Sequence, residues 1–335
     1  MRTFQCLALV AFLTQAGMSL ASESVIIAHR NASGYLPEHT LAGLSVAHSM
    51  GSDFVEPDVV LTKDNVPIVM HDIYLDETTD VAIKFPRKKR PDGRWYAIDF
   101  KLKEIQSLTS MERFDRTTGD VRYKGRFPKE VGLFKVPTLD EYIVLVKALN
   151  KSFNANVGIY LELKDPAFHK NAKKDISLSV LNVLSRYGYA TRDSGVVIQC
   201  FDAETLKELR AVHKTELPLV QLIGDDDPTG RNNYSVMKTE EGLAEIAKYA
   251  NGVAPNISHI LKKDQASPIG VSATKLVEWA HRNQLFVHVY TVRSDDLPPG
   301  VPSEEFLLKL LIQMAKVDGV FTDFPDRTKA IVKNL

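Results

Sequence analysis

The sequence predicts an α/β fold, a (β/α)8 TIM barrel with a small subdomain inserted after a hairpin of its second and third strands. Three observations carry this. Short apolar runs recur along the chain, amphipathic stretches long enough for a crossover helix separate most of them, and one long polar span breaks the alternation. Parallel strands covered on both faces read as near-continuous apolar runs, and repeated β-then-α units close most simply into a barrel.

In chain order, strands are predicted over Val25 to Ala28, Asp53 to Val59, Pro67 to Met70, Val157 to Leu163, Val196 to Phe201, Leu217 to Ile223, Gly252 to Pro255, Leu285 to Thr291 and Gly319 to Thr322. Gly34, Pro37 and Thr40 mark a turn running into a helix from Leu41. Further helices are predicted over Leu139 to Leu149, Ile176 to Tyr187, Ala203 to Val212, Glu240 to Ala250, Ala273 to Asn283 and Glu304 to Ala315, the first opened by a capping box of Thr138 and Glu141. Between the two apolar halves of Phe54 to Asp72 lie only Thr62-Lys63-Asp64-Asn65, too few for a crossover helix, so this stretch reads as a hairpin. Nine strands exceed a plain barrel by one, and one of the pair is expected to extend or cap it. From about residue 73 to 135 the chain is rich in Lys, Arg, Asp, Gly and Pro and poor in apolar period, which reads as an inserted small domain or lid. Its basic run, Lys84, Arg87, Lys88, Lys89, Arg90 and Arg94, is expected to be a solvated loop.

Residues 1–21 have the layout of a secretory signal: a single charge at Arg2, an apolar stretch around Leu7 to Leu13, and small residues ending Ser19-Leu20-Ala21. Thr14, Gln15 and Gly17 interrupt the run a stable membrane span would need. The mature chain, 22–335, is expected to be exported, to a periplasm, the exterior or a secretory lumen. With Cys6 removed, Cys200 has no intrachain disulfide partner, so a core large enough to stand without staples is implied. The 42 basic and 42 acidic residues leave no net field for nucleic acid. Sequons occur at Asn31, Asn150, Asn233 and Asn256.

Chemistry concentrates in four clusters at the ends of apolar runs: His29-Arg30, Glu56-Pro57-Asp58, His71-Asp72 and Glu162-Leu163-Lys164. Side chains at the C-terminal ends of barrel strands converge on one site, so these distant positions would share a pocket. Glu56, Asp58 and Glu162 offer hard oxygen ligands suited to a divalent cation, Ca2+ or Mg2+, and would repel one another strongly without it. His29 and His71 titrate near neutrality and suit proton transfer, while Arg30 and Lys164 suit a phosphate. The inventory reads as metal-assisted phosphodiester chemistry. Gln199 and Phe201 end another strand and could line the pocket, and Tyr290 could hydrogen-bond a substrate there. The remaining histidines, among them His39, His48, His169, His213, His259 and His281, are expected to be structural or surface residues.

The same motifs, His29-Arg30-Asn31-Ala32-Ser33-Gly34-Tyr35-Leu36-Pro37-Glu38-His39-Thr40-Leu41, Glu56-Pro57-Asp58-Val59 with Thr62-Lys63-Asp64, His71-Asp72, Pro137-Thr138-Leu139, Glu162-Leu163-Lys164 and Phe321-Thr322-Asp323-Phe324-Pro325, resemble those of the glycerophosphodiester phosphodiesterases, most closely the exported bacterial type with an insertion after His-Asp. The resemblance implies hydrolysis of small glycerophosphodiesters, such as glycerophosphocholine or glycerophosphoethanolamine, to sn-glycerol 3-phosphate and an alcohol. It implies Glu56, Asp58 and Glu162 as metal ligands, His29 and His71 as general acid and base, and Arg30 and Lys164 as phosphate holders, with attack by the neighbouring glycerol hydroxyl giving a cyclic phosphate that water opens. Two positions depart from the family pattern: Asn31 stands where Gly is usual, its bulk facing the mouth if the turn is kept, and Ile73 where a second His often follows His-Asp. Two rival readings are a phospholipase D-like barrel acting on intact lipids, which the charged insertion opposes, and a binding protein without catalysis, which the full set of histidines and carboxylates opposes.

Overall fold

The computed structural model describes residues 24–226 and 231–335, so the leader-like segment with Cys6 lies outside the described residues. Its strands, in chain order, are β1 (Val25–Ala28), β2 (Phe54–Val55), β3 (Asp58–Leu61), β4 (Pro67–Val69), β5 (Gly158–Leu163), β6 (Val196–Cys200), β7 (Leu219–Ile223), β8 (Gly252–Pro255), β9 (Leu261–Lys263), β10 (Val271–Ala273), β11 (Phe286–Val292) and β12 (Gly319–Thr322). Eight parallel positions close a barrel in the order β2, β1, β12, β11, β8, β7, β6, β5, with β5 pairing back onto β2. This is the (β/α)8 barrel expected.

The second barrel position is shared by two pieces. Pro57 brings no backbone N–H to the ladder, and around Glu56-Pro57 the strand changes partner: β2 lies between β1 and β5, while β3 runs on along β5 and turns back through β4 as an antiparallel hairpin. The extra strand of the sequence reading is therefore β4, outside the barrel, and the Met70 N–H bonds the Asp58 carbonyl at 2.9 Å, which returns His71 to the mouth.

Helices α1 (Leu41–Ser49), α2 (Leu139–Phe153), α3 (Ile176–Arg186), α4 (Ala203–Ala211), α5 (Glu240–Ile246), α6 (Leu276–Arg282), α7 (Glu304–Leu308) and α8 (Pro325–Val332) surround the strands. Side-chain oxygens satisfy free N–H groups at many helix starts, as Thr40 does for Gly43 and Asp175 for Leu178. The capping box of Thr138 and Glu141 forms in both directions. Three predicted helices are shorter than their apolar period, α5 among them, which stops at Ile246 and not at Ala250. Residues Val271 to Ala273 are committed to a ribbon with β9, so α6 starts at Leu276, and the run after α7 widens into π-helical geometry over Lys309–Met314. No described helix is long and apolar enough to cross a membrane.

Alternate side chains of the strands face inward. Ile27, Tyr160, Val197, Val220, Leu222, Ala254 and Phe321 fill the barrel, and a larger layer including Leu44, Ile143, Leu161, Ile198 and Leu206 joins strands to helices. Residues 73–135 have a cluster of their own, in which Leu75, Val81, Trp95, Phe100, Ile105 and Leu108 pack with Val60 and Ile68 of the hairpin. Ile73 is buried in that cluster as an apolar contact. The basic run is more than a solvated loop: Lys88 pairs with Glu104, Arg90 with Asp99, and Arg94 with Asp76 and Glu77, while Arg90 and Arg94 lie over the rings of Tyr96 and Tyr74. Cys200 is buried and free.

Close strand packing at the barrel floor depends on Gly319, where an added Cβ would lie 2.7 Å from the Val25 carbonyl oxygen and 2.9 Å from His288. Backbone cannot swing aside as a side chain can. Gly319→Ala is expected to destabilise by about 1–3 kcal/mol in urea melts, with the far-UV circular dichroism of the folded state unchanged.

Candidate active site

The sheet register assembles the acids. Asp58 of β3 sits opposite Glu162 of β5, which sits opposite Gln199 of β6, and Glu56 follows β2 directly. One oxygen from each of Glu56, Asp58 and Glu162 lies within 4.8 Å of the others, and all three residues are buried. Glu56 accepts hydrogen bonds from the Arg30 backbone N–H at 2.7 Å and from the Gln199 amide at 3.0 Å. Asp58 meets His39 Nε2 at 2.8 Å, and Glu162 accepts from Lys164 Nζ at 2.6 Å.

His29 follows β1, whose partner β12 runs directly into Asp323, so His29 Nδ1 lies 2.6 Å from Asp323 Oδ1. His71, at the end of the hairpin, has Nδ1 2.6 Å from its neighbour Asp72. In both cases a carboxylate occupies Nδ1 and leaves Nε2 for chemistry. Burial first, then the Arg30 and Arg293 charges, lowers His29 to about 4 against the pull of Asp323. Burial, Arg30 and Lys164 lower His71 to about 3. Each carboxylate has a further partner from the 73–135 segment: Arg113 reaches Asp72 at 2.7 Å, and Arg126 reaches Asp323 at 2.8 Å.

A pocket of about 230 Å3 at the barrel mouth is lined by His29, Arg30, Glu56, His71, Glu162, Lys164, Phe201 and Tyr290, with Asp58 just behind it in the carboxylate cluster. Every position singled out from the sequence is thus brought to one place. Tyr290 donates its hydroxyl to the Ile223 carbonyl at 3.0 Å, so it can only accept from a ligand. Arg30 and Asn31 both have positive φ. Asn tolerates that conformation, and its side chain turns away from the mouth: Asn31 is fully buried, accepts from Tyr142 and donates to the Thr40 carbonyl. The bulk expected to face substrate faces the helix layer instead, and the Asn31 sequon has no room for a glycan.

These motifs in this order on this barrel agree with comparisons of the whole chain. The glycerophosphoryl diester phosphodiesterase family matches residues 29–327. The chain belongs to that family. It is 40% identical to a glycerophosphodiester phosphodiesterase of Haemophilus influenzae over 96% of this chain and 93% of that one. It is 35% identical to one of Treponema pallidum, over 91% of each. A Silicibacter pomeroyi protein, provisionally named a glycerophosphoryl diester phosphodiesterase, superposes with TM-score 0.70 at 26% identity over 94% of both chains. An Oleispira antarctica phosphodiesterase, solved with the product sn-glycerol-3-phosphate, shares the fold at TM-score 0.61 and 22% identity over 92% of this chain and 96% of that one.

Several residues of this phosphodiesterase site escape the sequence reading. His39, expected to be structural or surface, is 3% exposed and holds a proposed metal ligand, Asp58. Asp323 was legible by the same strand-end rule that picked His29. Arg113, Arg126 and Glu38 lie in irregular segments where no period points to them; Glu38 bridges Arg30 at 3.1 Å and Arg113 at 2.7 Å.

Electrostatics show what the site wants. Burial, then Asp58 and Glu162, push the Glu56 carboxyl well above its usual range, and burial with Asp58 pushes Glu162 to about 8 even with Lys164 beside it. Asp58, despite its burial, is held low by Lys164, His39 and His71, and its Oδ1 has no hydrogen-bond partner. An orphaned oxygen beside two strained carboxyls suits a divalent metal ion, in family and in donor chemistry.

Raised carboxyl pKa values make folding stability depend on pH. For Glu162 the folded value, about 8, exceeds the ordinary 4.5, so its stabilising share is fully present below 4.5 and is lost as pH rises towards 8. A divalent cation removes that loss. The melting temperature gained on replacing EDTA with Ca2+ or Mg2+ is therefore expected to grow from pH 5 to pH 8, and a pH-independent gain would contradict the metal assignment.

Proposed function

We propose that the chain hydrolyses small glycerophosphodiesters, such as glycerophosphocholine or glycerophosphoethanolamine, to sn-glycerol 3-phosphate and an alcohol. The observation that carries this is one pocket holding two imidazoles, each with Nδ1 tied to a carboxylate, beside three clustered acids and two cations. Arg30 and Lys164 hold the non-bridging phosphate oxygens, Arg30 as a fork and Lys164 as a point charge. One imidazole takes the proton of the attacking glycerol hydroxyl at Nε2, and the other delivers a proton to the departing alkoxide as its bond to phosphorus breaks. A cyclic phosphate results, and water opens it with the roles reversed. A divalent cation, Ca2+ or Mg2+, bound by Glu56, Asp58 and Glu162 supplies charge that offsets the build-up on phosphorus.

Burial leaves both rings neutral before substrate arrives, so a base is ready at physiological pH. The incoming phosphate charge then favours a protonated ring, which the acid role requires. Polar, mostly charged side chains at the mouth favour small, water-soluble substrates over the intact lipids of the phospholipase D-like alternative.

Release of sn-glycerol 3-phosphate from glycerophosphocholine is expected to stop with EDTA and return with Ca2+ or Mg2+. His29→Ala and His71→Ala are each expected to lower kcat by at least about 100-fold. Absence of turnover on any glycerophosphodiester by folded protein would favour the binding-protein reading. We further propose that the mature protein, 22–335, is exported on the strength of its leader. N-terminal sequencing of protein recovered outside the cytoplasm is expected to begin at Ser22, and an intact Met1 would overturn this.

A further inference from the structure

Beside the catalytic pocket lies a second compartment of about 390 Å3, joined to it through His29, Arg30, His71 and Arg293. The 73–135 segment forms its far wall with Glu112, Arg113, Tyr123 and Arg126. Almost every buried charge here has a partner. Arg113 is shared by Glu38, Asp72 and Glu77, Arg126 by Asp295 and Asp323, and Arg293 also pairs with Asp323.

Glu112 is the exception. It is only 4% exposed, it lines the compartment, and it has neither a hydrogen bond nor an ion pair among the described residues; its Oε2 is buried without a partner. Burial first, then Glu38 and Asp323, push its carboxyl up to about 8 against the opposing charges of Arg126 and Arg113. A desolvated acid without a hydrogen-bond partner keeps its proton until a ligand favours the ionised form, and the ligand that does so is a cation carrying N–H donors. A quaternary ammonium fits less well. It would need an open aromatic face, and the Tyr123 ring is already covered by the Arg126 guanidinium at 3.8 Å.

We propose that this compartment receives the leaving alcohol and that Glu112 binds a primary ammonium on it, as in an ethanolamine headgroup. The proposal rests on the phosphodiesterase reading above and names the substrate class within it. Joined at both histidines, the compartment lies where a leaving group must emerge to take its proton.

The test is calorimetric binding of glycerophosphoethanolamine, glycerophosphocholine and glycerophosphoglycerol to His29→Ala protein with divalent cation, with and without Glu112→Gln, beside turnover of all three by the protein with its histidines intact. The expected result is an affinity for the ethanolamine ester that falls about 10- to 100-fold relative to the glycerol ester when Glu112 becomes Gln, with a smaller fall for the choline ester. An unchanged ratio, or an equal fall for the choline ester, overturns the proposal. Because Glu112→Gln keeps the shape and removes a desolvated acid, its melting temperature is expected not to drop. Failure of turnover on all three would sink the hydrolase reading, while the binding ratio still decides the role of Glu112.

Discussion

Three buried acids held within a few ångströms are the constraint from which the rest of this molecule follows. Strand register puts Asp58 opposite Glu162, and the Glu56-Pro57 break sets a third carboxylate beside them. Left alone, such a group would protonate or push the strands apart. Lys164, His39, Gln199 and the Arg30 backbone each answer part of that charge, and a divalent ion suits the remainder. The polar residues of the pocket are thus both the chemistry and the condition for the barrel mouth to close.

A second layer works outward from the histidines. Each imidazole rests on an aspartate, and each aspartate rests on an arginine from the 73–135 segment, with Arg113 behind Asp72 and Arg126 behind Asp323. Despite burial, both aspartates are held far below their usual range, first by the rings they bond and then by Arg113 at Asp72 and by Arg293 and Arg126 at Asp323. An ionised aspartate orients the ring and favours the tautomer with its proton on Nδ1, so the segment reaches both rings through their aspartates while its own residues lie outside the pocket that holds Arg30 and Lys164.

Much of this was legible because barrel strands write their geometry into apolar runs. His29, Glu56, Asp58, His71, Glu162 and Lys164 all end or follow such runs, and the rule that strand ends converge brought them together across more than a hundred positions. Asp323 obeys the same rule, following the strand paired with the one that His29 follows. His39 lay hidden because it sits in a turn with positive φ, where neither period nor run length speaks. Arg113, Arg126 and Glu112 were hidden for a related reason: an irregular segment held by ion pairs and ring contacts has no repeating pattern to betray which side chain points down. Asn31 shows the opposite limit. Its tolerance of a left-handed turn could be anticipated, but the direction of its side chain depends on Tyr142, far along the chain.

The arginine bridges also bear on how such an enzyme can be rebuilt. An insertion between barrel strands is usually treated as a cartridge that can be exchanged to alter substrate choice while the barrel keeps its chemistry. Here the bridges cross the joint: Arg113 grips Glu38 and Asp72, and Arg126 grips Asp295 and Asp323, all outside the insertion. A chimaera that imports a foreign segment leaves Asp72 without its guanidinium and Asp323 with Arg293 alone behind it. A transplanted segment therefore keeps these bridges only where its four acidic footholds, Glu38, Asp72, Asp295 and Asp323, move with it.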